Sequence, residues 1–320
     1  MTFIALAAAP MFPGWLVLIK TMRICDKRAA TCASLLVSCA AFVLIELNLF
    51  QGDIDVAHPT LNIAINAAHI AGDLMRQELH KVASIPVTQK ARHDYVTEID
   101  RASEQQIVRE IKRFHPDHAF LGEEGGEQGE SEFVWIIDPL DGTSNYLHGM
   151  PHFGISIALQ EKGRTEHAVV YDPMRDEMFS ASRGGGAHLN NTRIRVSART
   201  SLDNAIVATA FPFRQRGMMS VYTGIFSDVY KKIEDIRRYG AASLDLAWVA
   251  AGRMDAYFEI GLKPWDVAAG ALIVREAGGV VSDFDGSDAV ENSHSILAAP
   301  YKLMTPLRQI IEPRWAKVKR

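Results

Sequence analysis

The chain has three cysteines, Cys25, Cys32 and Cys39, all near the N-terminus, and none follows them. The rest of the molecule therefore has no disulfide framework and must be held by its core. CxxC and HExxH are both missing, which argues against a zinc centre. The spacing of the cysteines would put them along one helix face, but nothing nearby supplies further ligands, so we read it as coincidence. Neither sign of charge dominates. Lys and Arg number 34 against 38 Asp and Glu, a formal net charge of -4. That balance leaves no electrostatic footprint for non-specific nucleic-acid binding. Beyond residue 58 there is no internal repeat and no low-complexity linker. What is present is ordinary globular material, 320 residues with 48% hydrophobic and 22% charged. It suffices for one large domain or two coupled subdomains.

Residues 1–57 differ from the rest. Met1 to Ile19 is uncharged, and Lys20, Arg23, Lys27 and Arg28 form a basic patch. Ala29 to Ile45 is then uncharged for 17 residues, the short limit of a membrane span. A signal peptide fits poorly, because the apolar region lies too far from the start and no A-x-A site follows it. Two readings stand: a membrane anchor, or upstream sequence read as coding, and we favour the second. No methionine falls between Met22 and Met75, so a start near Val56 needs a non-AUG codon. The mass of the natural N-terminus decides between them.

From His58 to residue 320 the patterning is that of a mixed α and β enzyme. Thr60 is expected to cap a helix through "LNIAINAAHIAGDLMRQEL", with Leu61, Ile65, Ala68 and Leu79 among its apolar positions. "RASEQQIVREIKRF" predicts a second helix with Ile107, Ile111 and Phe114 on one face. Strands are predicted at "HAFLG", "FVWIID", "FGISIALQ", "EHAVVYD", "EMFSAS" and "GAHLN". So many consecutive strands rule out simple βα alternation. Later, "AIVATA" and "MDAYFEI" alternate with helices at "SLDLAWVAAG" and "DVAAGALIVREAG". Layers of helix and sheet in two coupled halves fit this order.

Carboxylates collect where these elements begin or end. Asp138 and Asp141 follow the apolar strand of "FVWIIDPLDGTSNY". Two such charges are costly unless something positive lies between them, and hard oxygen ligands suit Mg2+. Pro139 stiffens the turn, Gly142 lets the backbone approach a ligand, and the amides that follow could bind a phosphate. The plain alternative is a strand-end turn with Asp141 as a helix cap. "FLGEEGGEQGE" sets Glu123 and Glu124 after a short strand; Glu127 and Glu130 read as a solvated loop. "HDYVTEID" brings Asp94, Thr97 and Asp100 ahead of a helix, where Asp100 alone reads as a cap. "FEIGLKPWDVAAG" brings Glu259 and Asp266, and capping by Asp266 can coexist with ligation.

"GEE", "DPLDGTSN" and "PWDVAAG", in this order and at these separations, resemble the inositol monophosphatase family, and within it the bacterial SuhB-type branch. The resemblance runs from His58 to the C-terminal helix and omits residues 1–57. It implies a layered αβαβα sandwich of the sugar and inositol phosphatase type. It also implies a cytoplasmic, Mg2+-dependent, Li+-sensitive phosphomonoesterase acting on inositol 1-phosphate. One metal falls to Glu123, Asp138 and the Leu140 carbonyl, a second to Asp138, Asp141 and Asp266, and a weaker third again uses Glu123. Thr143, backed by Asp100, would position the attacking water, with Glu124 ordering water and Lys90 approaching from a loop. The Gly142 and Thr143 amides would hold phosphate oxygens, and Glu259 and Asp141 would accept from polyol hydroxyls. Gly240, Ala241 and Ala242 would complete the substrate contacts. Here the sequence departs from the family, which usually carries Ser or Thr after the glycine. That bears on inositol preference rather than on the metal chemistry. The runner-up activities are a sugar-bisphosphate or an adenosine 3',5'-bisphosphate phosphatase. The family also implies a homodimer, and its SuhB-type branch permits a place in an RNA polymerase antitermination complex without direct nucleic-acid binding.

Overall fold

The structure, a computed structural model, describes residues 58–84, 87–91 and 94–318. Both readings of residues 1–57 fall outside the described residues. The first helix, α1, runs Pro59–Glu78 and is followed by a 3-10 turn, Leu79–Ser84. Its cap is not Thr60. The His58 ring accepts from the Thr60 N–H at 3.3 Å, and Pro59 takes the first helical position. Proline suits that position because its missing N–H would have no partner there. Two short antiparallel strands, β1 (Val87–Ala91) and β2 (Asp94–Thr97), form a separate ribbon. Lys90, expected in a loop, lies in β1, and its side chain falls outside the described residues, as do those of Asp94 and Thr97. Helix α2 spans Glu98–Lys112. It begins earlier than predicted, so Asp100 sits inside its first turn rather than capping it. It also ends before Phe114, which leaves the face of Ile107 and Ile111 and is 54% exposed.

A large sheet follows, built from β3 (Ala119–Gly122), β4 (Gly126–Gln128), β5 (Phe133–Asp141), β6 (Gly154–Glu161), β7 (Arg164–Asp172), β8 (Glu177–Ser182), β9 (Gly186–Leu189) and β10 (Thr192–Arg193). Its spatial order is β10-β9-β8-β7-β6-β5-β3-β4, and only the β3–β5 pair is parallel. A short helix, α3 (Thr143–Leu147), leaves the end of β5. The second half holds β11 (Ile206–Thr209), α4 (Met219–Tyr230), β12 (Asp235–Arg237), α5 (Ala242–Ala250), β13 (Ala256–Ile260), α6 (Pro264–Glu276), β14 (Gly279–Ser282), β15 (Ser295–Pro300) and α7 (Tyr301–Trp315). Its sheet order is β12-β11-β13-β15-β14.

Period-two alternation sorts these strands into layers. In the large sheet Trp135, Ile137, Ile155, Ile157, Val169 and Tyr171 pack with α1 and α2. Their neighbours Ile136, Ala158, Ala168 and Val170 face the other way, toward α5 and α6. In the small sheet Tyr257, Ile296 and Ala298 join that central cluster, while Ala256, Phe258, Leu297 and Ala299 pack under α4 and α7. The result is the αβαβα sandwich expected from the resemblance. All nine residues of α5 are buried, as a helix between two sheets requires. Burying one large apolar side chain contributes roughly 1.5–3 kcal/mol, so these clusters carry most of the stabilisation.

The central layer is tight where α5 crosses α6. A Cβ built on Gly270 would lie 2.6 Å from the Leu246 Cβ and 2.7 Å from its Cδ1. Alanine would gain up to about 1 kcal/mol of helix propensity there. Overpacking costs about 1–3 kcal/mol and wins. Gly270→Ala should therefore lower the urea midpoint with an unchanged slope, and an equal or higher midpoint would show that the two helices have room to separate.

Candidate active site

Asp138 and Asp141 stand three apart, and strict alternation would send them to opposite faces. They do not diverge, because β5 carries a bulge. Asp138 pairs with Ser156 and Asp141 with Gly154, so β5 has one more residue than β6 across this step. The extra residue falls at Pro139–Leu140, where proline has no N–H to offer the ladder. The strand thus continues past its predicted end at Asp138. Asp138 and Asp141 line the same cavity of about 390 Å3. Asp141 is not a cap for α3. Its Oδ2 accepts the Ser243 N–H and the Ser243 hydroxyl, each at 2.6 Å, and so caps α5 from another element.

Other elements deliver the remaining acids. Gly122 pairs with Ile137 in parallel register, and the Glu123 N–H donates to the Ile137 carbonyl at 3.1 Å, which seats Glu123 beside Asp138. Glu259 lies on β13, and Asp266 sits in the first turn of α6, where its Oδ2 accepts the Lys263 N–H at 2.7 Å. Capping by Asp266 therefore coexists with its place in the cavity. Glu123, Leu140, Asp266 and Glu259 all line the same space. So do Gly142, Thr143, Gly240 and Ala242.

Three expected residues are not part of this lining. Ala241 is 1% exposed and belongs to the central core. Asp100 is buried, and the Thr143 hydroxyl lies 3.2 Å from its Oδ1 and 3.0 Å from the Leu140 carbonyl. Glu124 is held by its backbone N–H, which donates to Glu104 Oε2 at 2.9 Å. Gly142 has φ +92°, and an added Cβ would meet the His152 and Gly240 carbonyls at 3.2 and 3.3 Å, so only glycine fits this turn.

The electrostatics are unusual. Burial first, then Glu123, Asp141 and Asp266, push the Asp138 carboxyl well above its ordinary range. Burial and Asp266 raise Asp141 to about 6, against the pull of its Ser243 and Ala242 hydrogen bonds. Burial raises Glu259 to about 8, although the Tyr257 hydroxyl donates to it. Asp266 is also raised by burial, with Arg214 pulling the other way. Carboxyls this close in a buried site cannot all ionise without a cation. Every donor is a hard oxygen, the set that suits Mg2+. Among the described residues no three His, Cys, Asp or Glu are gathered tightly enough to cage an ion as they stand.

Sequence reading missed Arg214, whose Nη1 lies 3.0 Å from Asp266 Oδ2 and whose Nη2 lies 3.5 Å from Glu123 Oε1. The available signal was its position just beyond "AIVATA". β11 and β13 are parallel, with Thr209 opposite Phe258, so a residue past β11 falls near Glu259. Ser243 was also missed. It supplies Asp141 with a hydroxyl three residues beyond Gly240. Asp245 was missed as well. Among the described residues neither of its two buried oxygens has a hydrogen-bond partner, and burial raises its carboxyl well above the usual range.

Known proteins are similar to the chain over most of its length. The profile described as the inositol monophosphatase family matches residues 57–318. The chain is 51% identical over 261 residues to the Nus factor SuhB of Pseudomonas aeruginosa, covering 80% of this chain and 96% of the relative. The Nus factor SuhB of Escherichia coli is also 51% identical, over 231 residues, covering 72% of this chain and 86% of the relative. Among solved structures, the extragenic suppressor protein suhB of Bartonella henselae superposes with TM-score 0.77 at 39% identity, covering 79% of this chain and 98% of that one. The IMPase of Thermotoga maritima superposes with TM-score 0.74 at 35% identity, covering 81% and 98%.

Proposed function

The chain belongs to the inositol monophosphatase family, and from that premise we propose that it is a Mg2+-dependent phosphomonoesterase that hydrolyses inositol 1-phosphate to inositol and phosphate. The observation that carries the reading is the convergence of Glu123, Asp138, Asp141 and Asp266 on one cavity, with the Thr143–Asp100 pair at its wall. Glu123, Asp138 and the Leu140 carbonyl would hold one Mg2+, Asp138, Asp141 and Asp266 a second, and Glu123 would contribute to a third. Bound Mg2+ supplies Lewis-acid stabilisation of the charge that develops on the phosphoryl group. Thr143 Oγ1 donates its proton to Asp100 Oδ1, which leaves its lone pairs to accept from the attacking water and to hold it in line with the ester bond. Glu124 orders water behind Glu123. The Gly142 and Thr143 amides hold phosphate oxygens. Glu259 and Asp141 accept from the polyol hydroxyls, and the backbone from Gly240 to Ala242 completes that wall. The working enzyme is residues 58–320, as a cytoplasmic homodimer.

Phosphate release in Mg2+ from inositol 1-phosphate, fructose 1,6-bisphosphate and adenosine 3',5'-bisphosphate tests the substrate. Inositol 1-phosphate should be the best of the three, and a strong preference for either bisphosphate would overturn the assignment. Lithium should inhibit at the position lined by Asp138, Asp141 and Asp266, all hard oxygen donors. Turnover unchanged by millimolar-range Li+ under saturating Mg2+ would count against that position.

A second reading has its own support. Two relatives at 51% identity carry the name Nus factor SuhB. A role in a transcription complex needs no turnover, so an Asp138→Asn chain should still retain RNA polymerase partners from lysate. Loss of those partners only in this variant would tie the two roles together. Among the described residues no helix is long and apolar enough to cross a membrane.

A further inference from the structure

Arg214 lines the carboxylate cavity. Its guanidinium bridges Glu123, which follows β3 of the large sheet, and Asp266, in the first turn of α6. The side chain is only 19% exposed. A guanidinium is permanently charged, and its fork can span two carboxylates. Among the described residues the acids that share this cavity form no ready-made cage.

The segment carrying Arg214 is built to let go. Phe213–Met218 is a 3-10 turn with no buried residue, and Gln215 breaks it with φ -127° and ψ 57°. The guanidinium lies 4.6 Å from the Phe213 ring centroid, so part of its contact travels with the segment. Few buried contacts mean a low cost of local opening. Asp266 does not depend on Arg214 for its orientation, because the Lys263 N–H also holds its Oδ2.

We propose that Arg214 is a built-in counter-cation, neutralising Glu123 and Asp266 in the metal-free protein and leaving them when a divalent cation binds. The proposal rests on the reading of these carboxylates as the Mg2+ site. A dication and a guanidinium drawn to the same two carboxylates repel each other, so loading the site weakens the hold on Arg214. Coupling of this kind is reciprocal. Arg214 weakens metal binding by the factor by which metal weakens the hold on Arg214. Arginine thus keeps the empty site folded and sets the cation concentration at which the site fills.

The test uses the full chain as the native protein and as Arg214→Gln, Arg214→Lys and Asp138→Asn. Mg2+ affinity is read by titration calorimetry, and metal-free stability by melting in EDTA. Arg214→Gln should bind Mg2+ about tenfold more tightly, within the usual range of coupling between sites, and melt lower in EDTA. Arg214→Lys keeps the charge and should stay near native in both. Hydrogen exchange of residues 213–218 in the native protein should rise when Mg2+ is added, a readout that needs no variant. Native protein that binds Mg2+ while Arg214→Gln binds it no more tightly, or while exchange in 213–218 stays unchanged, would overturn the counter-cation and leave the metal site standing. Native protein that binds no Mg2+, indistinguishable from Asp138→Asn, would overturn both.

Discussion

Asp138→Asn is expected to lower phosphate release by about a thousandfold or more and, in the absence of metal, to raise the melting temperature. The substitution keeps the size of the side chain, and the amide oxygen can still accept the Leu140 N–H that Asp138 Oδ1 accepts at 3.0 Å. What it removes is the one charge that both proposed cations share. Loss of a central electrostatic element in a preorganised site costs activity on the thousandfold scale. The stability change has the opposite sign. Burial and the charges of Glu123, Asp141 and Asp266 raise the Asp138 carboxyl in the folded protein. A raised carboxyl holds its proton when folded and gives it up when unfolded, so it costs stability as pH rises above the ordinary value of 3.8. Asparagine carries no such cost, so the gain should be near zero below that value and grow toward neutral pH. Added Mg2+ reverses the order, because a ligand that binds only the folded state stabilises it by mass action. Melting in EDTA and in Mg2+ beside a phosphatase assay reads all three effects. An Asp138→Asn protein with native activity, or with a native gain from Mg2+, would make Asp138 a turn residue.

Thr143→Ala should lower turnover by about a hundredfold, the lower end of what positioned proton-handling groups contribute. Asp100→Asn should do nearly the same, since an amide facing the Thr143 hydroxyl is a poorer acceptor for its proton. The double variant should be little worse than either single one, as expected of two residues that position the water as one unit. Thr143→Ser keeps the hydroxyl and should retain most of the rate. The melting shift caused by Mg2+ should survive in every one of these proteins, which separates loss of water positioning from loss of metal. Losses that multiply in the double variant would mean that Asp100 has a separate task.

Much of this site could be read from local sequence. Glu123, Asp138 and Asp266 each adjoin an apolar strand or open a helix, and that juxtaposition is visible within a few residues. The layers were legible as well, since the apolar runs of "FVWIID" and "MDAYFEI" become β5, buried from Trp135 onward, and the fully buried β13. What escaped depends on register between distant segments. The bulge at Pro139–Leu140 exists only relative to β6. The Asp141–Ser243 contact closes over 102 residues, so no local pattern announces it. Arg214 reaches Asp266 across 52 residues, beyond the ends of the parallel β11 and β13. The His58 cap carries no such signal, because the neighbouring Thr60 has the more usual capping side chain.

The account turns on whether the carboxylate cavity is a cation-dependent phosphatase centre, and the metal dependence of phosphate release from inositol 1-phosphate tests that most directly. Native protein should release phosphate in Mg2+, stop in excess EDTA, and recover when Mg2+ is restored, while Asp138→Asn stays near background throughout. Release that continues in EDTA, or an Asp138→Asn protein that responds to Mg2+ as the native one does, would contradict it.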